Sequence, residues 1–126
     1  MQYQSITANI GVKNVNETVQ FYTEKLGFDL VMSNPEEGEY IWAMVSNGHV
    51  ILMFQDDVNL KEEYPELSSA GKGNITFYVK IKGMVELFEQ LRDSNLIVKP
   101  LAPTPYGVAE FAIRDNNGYI LTIAEA

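Results

Sequence analysis

The sequence predicts an α+β fold of two βαβββ modules whose sheets form a curved, barrel-like surface around a cleft. Three observations carry this reading. The hairpin text VSNGHVILMF (Val45–Phe54) returns as DNNGYILTIA (Asp115–Ala124) under a shift of 70, which lays Asn47-Gly48 on Asn117-Gly118. The text before each hairpin returns under a shift of 67, with Thr7 on Asn74, Phe21 on Phe88 and Leu30-Val31 on Ile97-Val98. Within each copy a strand-like run gives way to helical spacing and then to short extended runs.

The first copy opens with ITANIGVK. Ile6, Ala8, Ile10 and Val12 alternate as the apolar set beneath a helix, and Thr7, Asn9 and Gly11 then point toward the cleft. The helix is NVNETVQFYTEKLGF, with Asn14 or Asn16 as N-cap, Val15, Val19, Tyr22 and Leu26 on one face, and Gly27 as the stop. FDLVMS and the hairpin complete the module. In the second copy Ile75, Phe77, Val79 and Ile81 lie beneath the helix, leaving Asn74, Thr76 and Tyr78 toward the cleft. Its helix, GMVELFEQLRDSN, places Met84, Leu87, Phe88 and Leu91 together, and NLIVKPL follows as a strand. In the hairpins both alternating sets are apolar, so periodicity leaves open whether Leu52 and Phe54 or Ile51 and Met53 face inward.

The chain is read as one domain over 1–126, with module one at 1–55, a linker at 56–72 and module two at 73–126. The polar linker text, DDVNLKEEYPELSSAGKG, has Pro65 within it and reads as a connector or lid with at most a single turn in LKEEYPEL. A module of about 55 residues buries too little surface to stand alone. Pairing the two, with the helices outside, predicts a pocket between related sheets.

Composition narrows the function. Seventeen acids against nine bases give a net charge of −8, which argues against a nucleic-acid partner and favours a cationic ligand. The absence of cysteine removes disulfides, thiolate metal sites and cysteine nucleophiles, and fits a cytoplasmic protein. Neither a signal peptide nor a membrane-spanning run is predicted.

The helix text NVNETVQFYTEKLGF and the closing text PYGVAEFAIRDNNGYILTIAE resemble the vicinal oxygen chelate superfamily of glyoxalases, extradiol dioxygenases and bleomycin resistance proteins. Asn14 stands where that family commonly has Asp, and Asn116-Asn117 replace its Pro-Asp. The resemblance covers essentially the whole chain. It implies a cleft that, in metal-dependent members, holds a divalent ion on two His or Gln and two Glu ligands. Motif matching puts those four positions at Thr7, Leu52, Asn74 and Thr122, none of them a His, Gln or Glu. Leu offers no donor and the others only weak neutral ones, so the expectation is no metal and no cofactor.

The remaining candidates suit ligand binding. Trp42, Phe54, Tyr78, Tyr106 and Phe111 come from strands or rims expected near the cleft, with core packing weighed equally for Trp42 and Phe111. Thr7, Asn9, Asn74, Thr76 and Thr122 could supply placed polar groups, Leu52 an apolar one, and Glu110 a carboxylate for a cationic ligand or a general base. His49, the sole histidine, reads as an exposed turn residue, and Asp56 and Asp57 as solvated acids opening the linker. The expected function is a metal-free binding protein of the bleomycin-resistance type, sequestering an aromatic or cationic small molecule such as an antibiotic. The alternative is a glyoxalase- or dioxygenase-like lyase or isomerase with an absent or atypical metal. By the same resemblance the protein is expected to be a homodimer.

Overall fold

The structure is a computed structural model that describes residues 1–67 and 75–126. The chain divides into two compact units, Met1–Gly71 and Lys72–Ala126. In the first, β1 (Asn9–Val12) leads into α1 (Val15–Leu26), followed by β2 (Asp29–Asn34), β3 (Trp42–Asn47) and β4 (Val50–Asp56). The strands lie in the order β1-β4-β3-β2, parallel between β1 and β4 and antiparallel elsewhere. After α2 (Asp57–Glu63) the second unit repeats the plan with β5 (Thr76–Ile81), α3 (Met84–Leu91), β6 (Ile97–Pro103), β7 (Ala109–Arg114) and β8 (Ile120–Glu125). Its order is β5-β8-β7-β6. Two open, mixed four-stranded sheets with three helices make this an α+β fold of two βαβββ units.

Local chemistry sets the helix ends. Asn14 Oδ1 accepts from the Glu17 amide at 2.9 Å, and Gly27, at φ 74°, closes α1 with its N–H on the Tyr22 carbonyl. Val15, Val19 and Tyr22 form the buried stripe. Gly83 gives α3 no side-chain cap. Glu125, at the end of β8, supplies one instead, its two carboxylate oxygens accepting from the Gly83 amide at 3.1 Å and the Met84 amide at 3.0 Å. A carboxylate there also meets the positive end of the helix dipole. Glu125→Ala is therefore expected to cost about 1 kcal/mol of stability, read as a lowered urea midpoint and faster exchange at the Met84 and Val85 amides. Unchanged exchange would mean that water replaces the cap without cost.

Each sheet has a side turned to its helix and an open side. In the first unit Phe54 is fully buried, its ring 4.9 Å from that of Tyr22. Phe54 pairs with Ile10 and Ala43, and Leu52 with Val45, so all five residues face the helix. In the second, Phe111 packs 5.2 Å from Phe88 and pairs with Ile123, which in turn pairs with Val79. Strand alternation then puts Asn9, Trp42, Met44, Ile51, Met53 and Gln55 on the open side of the first sheet. Thr76, Tyr78, Lys80, Glu110, Ala112, Thr122 and Ala124 occupy the open side of the second.

Three expectations are corrected. Ile6 and Ile75, expected beneath the helices, precede β1 and β5 and are 99% and 64% exposed. The linker, expected to hold no more than a single turn in LKEEYPEL, forms α2 from Asp57 to Glu63, because Asp56 Oδ2 caps it through the Asn59 amide at 3.0 Å and Leu60 is buried. A short 3-10 turn, Pro65–Leu67, follows. The third concerns the repeat. Asn9 pairs with Met53 and Thr76 with Ile120, each 44 positions along, so one shift must carry both the first and the last strand of a unit. A shift of 67 for one and 70 for the other cannot both hold, and a one-residue slip reverses every side chain. The cause is the turns: Gly48-His49 alone joins Asn47 to Val50, whereas Asp115–Tyr119 joins Arg114 to Ile120. The two Asn-Gly pairs occupy different places in turns of different length.

Candidate functional site

The open side of the first sheet carries Met32, Met44, Met53 and Asn9 in one cross-strand row, and Trp42, Gln55 and Gly11 in the next. Polar order gathers at its β1–β4 edge. Asn9 Nδ2 donates to Gln55 Oε1 at 2.8 Å, and Gln55 Nε2 donates to Asn59 Oδ1 at 2.7 Å and Glu63 Oε1 at 3.1 Å. These bonds tie α2 to the sheet. Gly11 permits the approach, since a Cβ there would stand 3.1 Å from Leu60 Cδ2. The helix thus covers one end of this face and leaves the thioethers and the half-buried indole of Trp42 beyond it.

On the second sheet, one row runs Ala102, Glu110, Ala124, Lys80 and the next Lys99, Ala112, Thr122, Tyr78. Glu110 stands between two alanines across the strands, with a third two residues along β7. The Tyr106 hydroxyl donates to Glu110 Oε2 at 2.7 Å. Tyr106 is held there by the β6–β7 turn, in which the Thr104 hydroxyl donates to the Val108 carbonyl at 2.7 Å and Gly107 takes φ 88°. Partial desolvation, then the nearby Glu110 carboxylate, raises the Tyr78 phenol above its usual pKa. The hydrogen bond to Glu110, more than desolvation, does the same for Tyr106. One carboxylate thus interacts with two phenols.

The structure sorts the sequence candidates by face. Asn9 and Trp42 share the open side of the first sheet. Thr76, Tyr78, Glu110 and Thr122 share that of the second, with Tyr106 at its rim. Leu52, Phe54 and Phe111 face the helices, with Phe54 and Phe111 buried in the hydrophobic core and Leu52 half-buried. Thr7 is half-buried ahead of β1. Asn74 lies outside the described residues. His49 is exposed in the β3–β4 turn, and Asp56 and Asp57 open α2. The methionine row, Gln55 and the alanines around Glu110 were not singled out in the sequence. Correct parity in β4 and β7 would have exposed all three.

The metal implied for some relatives does not fit these side chains. Among the described residues no three His, Asp or Glu side chains gather. Thr7 and Thr122 offer hydroxyls only, and Leu52 is turned to the helix without a donor. Gln55, the one amide on the open side of β4, already spends its oxygen on Asn9. Neutral hydroxyls do not compete with water for a divalent transition ion.

Comparison with known proteins identifies the family and the fold. The family model described as Glyoxalase/Bleomycin resistance protein/Dioxygenase superfamily matches residues 4–123. Among solved structures, TioX from Micromonospora sp. ML1 is similar with a TM-score of 0.80 at 20% identity, over 98% of each chain. A glyoxalase-related enzyme from Fulvimarina pelagi is similar at 0.74 and 20% identity, over 98% of this chain and 89% of that one. The bleomycin-binding protein from bleomycin-producing Streptomyces verticillus, complexed with copper(II)-bleomycin, is similar at 0.66 and 18% identity, over 100% and 98%. No curated protein sequence matches the chain.

Proposed function

The chain belongs to the glyoxalase/bleomycin resistance protein/dioxygenase superfamily, and we propose that it is a metal-free small-molecule binder of the bleomycin-resistance type. The observation that carries this reading is the row Met32, Met44, Met53 beside Trp42 on the open side of the first sheet. Thioethers are polarizable and adjust their torsions, so a methionine row conforms to a flat ring and makes favourable sulfur–aromatic contacts. The indole adds a stacking surface. The bleomycin-binding relative supports the reading, and homodimerisation and a cytoplasmic location belong to it as expectations.

Trp42 is the sole tryptophan, so its emission reports on this face directly. Titration with bleomycin, with and without copper(II), is expected to quench or shift it with saturation, and Trp42→Phe to abolish the signal. Sedimentation velocity on the same samples reads the subunit number. A flat titration with unchanged mass would count against the reading.

A second reading, a glyoxalase- or dioxygenase-like enzyme working without the usual metal, draws on Glu110 and Tyr106, a hydrogen-bonded pair able to relay a proton. Turnover of the hemithioacetal of methylglyoxal and glutathione by the purified protein, lost in Glu110→Gln, would favour it over binding alone.

A further inference from the structure

We propose that Glu110, flanked by Tyr78 and Tyr106, is a subsite for a protonated amine on the ligand. The inference rests on the chain being a small-molecule binder and names the chemical class that one part of the ligand carries.

Register builds the site. On the open side of the second sheet Ala102 and Ala124 pair with Glu110, and Ala112 stands two residues along β7 between Lys99 and Thr122. Ala112 and Ala124 are themselves buried. Tyr78 and Tyr106 rise beside the carboxylate and remain 52% and 63% exposed, leaving their rings accessible to a ligand.

A carboxylate accepts at about four lone-pair positions. Tyr106 fills one, and Tyr78 at most one more. Among the described residues no basic group forms an ion pair with Glu110. Lys80 lies in the same row on the far side of Ala124, Lys99 stands opposite Ala112 in the next row, and Arg114 directs Nη1 to the Asn95 carbonyl at 3.3 Å. An ammonium group seated against the carboxylate would take the remaining acceptor positions and lie against two electron-rich rings, where ion pairing and cation–π attraction add. A carboxylate ligand would be repelled, both here and by the net charge of −8. A neutral hydroxyl gains neither term.

Three probes of similar shape test the subsite on the full chain: 2-phenylethylammonium, 2-phenylethanol and 3-phenylpropionate. Each is followed by amide and tyrosine ring NMR shifts for the second sheet and by Trp42 emission for the first. The ammonium probe is expected to bind about tenfold more tightly than the alcohol, moving signals of Tyr78, Tyr106 and Ala124, with the propionate weakest. Glu110→Gln keeps the shape and an acceptor for Tyr106, and is expected to reduce the amine's advantage to about twofold or less. Lys80→Gln and Lys99→Gln, which remove the lysines on the same side of the sheet, are each expected to strengthen amine binding. Equal binding of amine and alcohol to the wild type, or an advantage that survives Glu110→Gln, would overturn the subsite while leaving the binding reading intact. If no probe moved a signal from either sheet, both would fall.

Discussion

Phe54→Ala is expected to lower the unfolding free energy by about 3–5 kcal/mol, whereas Met53→Ala beside it is expected to cost about 1 kcal/mol. The two residues occupy opposite sides of β4. Phe54 is fully buried, tilted against Tyr22 of α1, and flanked in register by Ile10 and the small Ala43. Removing its ring would leave a void that neighbours on a hydrogen-bonded sheet could close only in part. Met53 loses a half-exposed thioether from the open side. Since small domains hold only about 5–15 kcal/mol in total, the first change should lower the urea midpoint sharply and the second only slightly. Equal losses, followed by far-ultraviolet circular dichroism, would mean that β4 presents its other set of side chains to the helix.

That contrast marks where the sequence was informative and where it misled. Helix α1 could be read almost residue by residue, because Asn14, Gly27 and the spacing of Val15, Val19 and Tyr22 act within a few positions of one another. The order of strands and helices could be read for the same reason. The orientation of β4 could not. Both of its alternating sets are apolar, so the only guide was alignment with the other hairpin. That alignment locked onto Asn-Gly pairs sitting differently in turns of two and five residues. Helix α2 was missed because, apart from its Asp56 cap, its stabilising contacts are tertiary: Leu60 over Gly11, and Asn59 and Glu63 on Gln55.

The candidate site divides along the same line. Tyr78 and Thr76 could be placed from their own strand, since Phe77, Val79 and Ile81 make a clear apolar alternation. Glu110 could be named as a carboxylate worth attention, but its surroundings could not. Ala102, Ala112 and Ala124 become neighbours only through pairings across β6, β7 and β8. Tyr106 reaches the carboxylate through a turn whose shape depends on the Thr104–Val108 hydrogen bonds and a left-handed Gly107.

Phe111→Ala and Glu110→Gln, one residue apart on β7, should separate stability from ligand choice. The Phe111 ring is 1% exposed and packs edge-on against Phe88. Its loss is expected to cost about 3–5 kcal/mol, read as a lower urea midpoint and faster amide exchange in β7 and β8. The folded fraction of that variant should still prefer 2-phenylethylammonium over the neutral alcohol, because nothing on the open side has changed. Glu110→Gln should do the reverse. Its amide can still accept from Tyr106, so stability is expected to move by less than about 0.5 kcal/mol while the preference for the amine collapses. A Phe111→Ala protein that keeps wild-type stability would contradict the assignment of that side chain to the core. A Glu110→Gln protein that unfolds readily would instead make the carboxylate a structural anchor for the β6–β7 turn, with its two tyrosines serving the fold rather than a ligand.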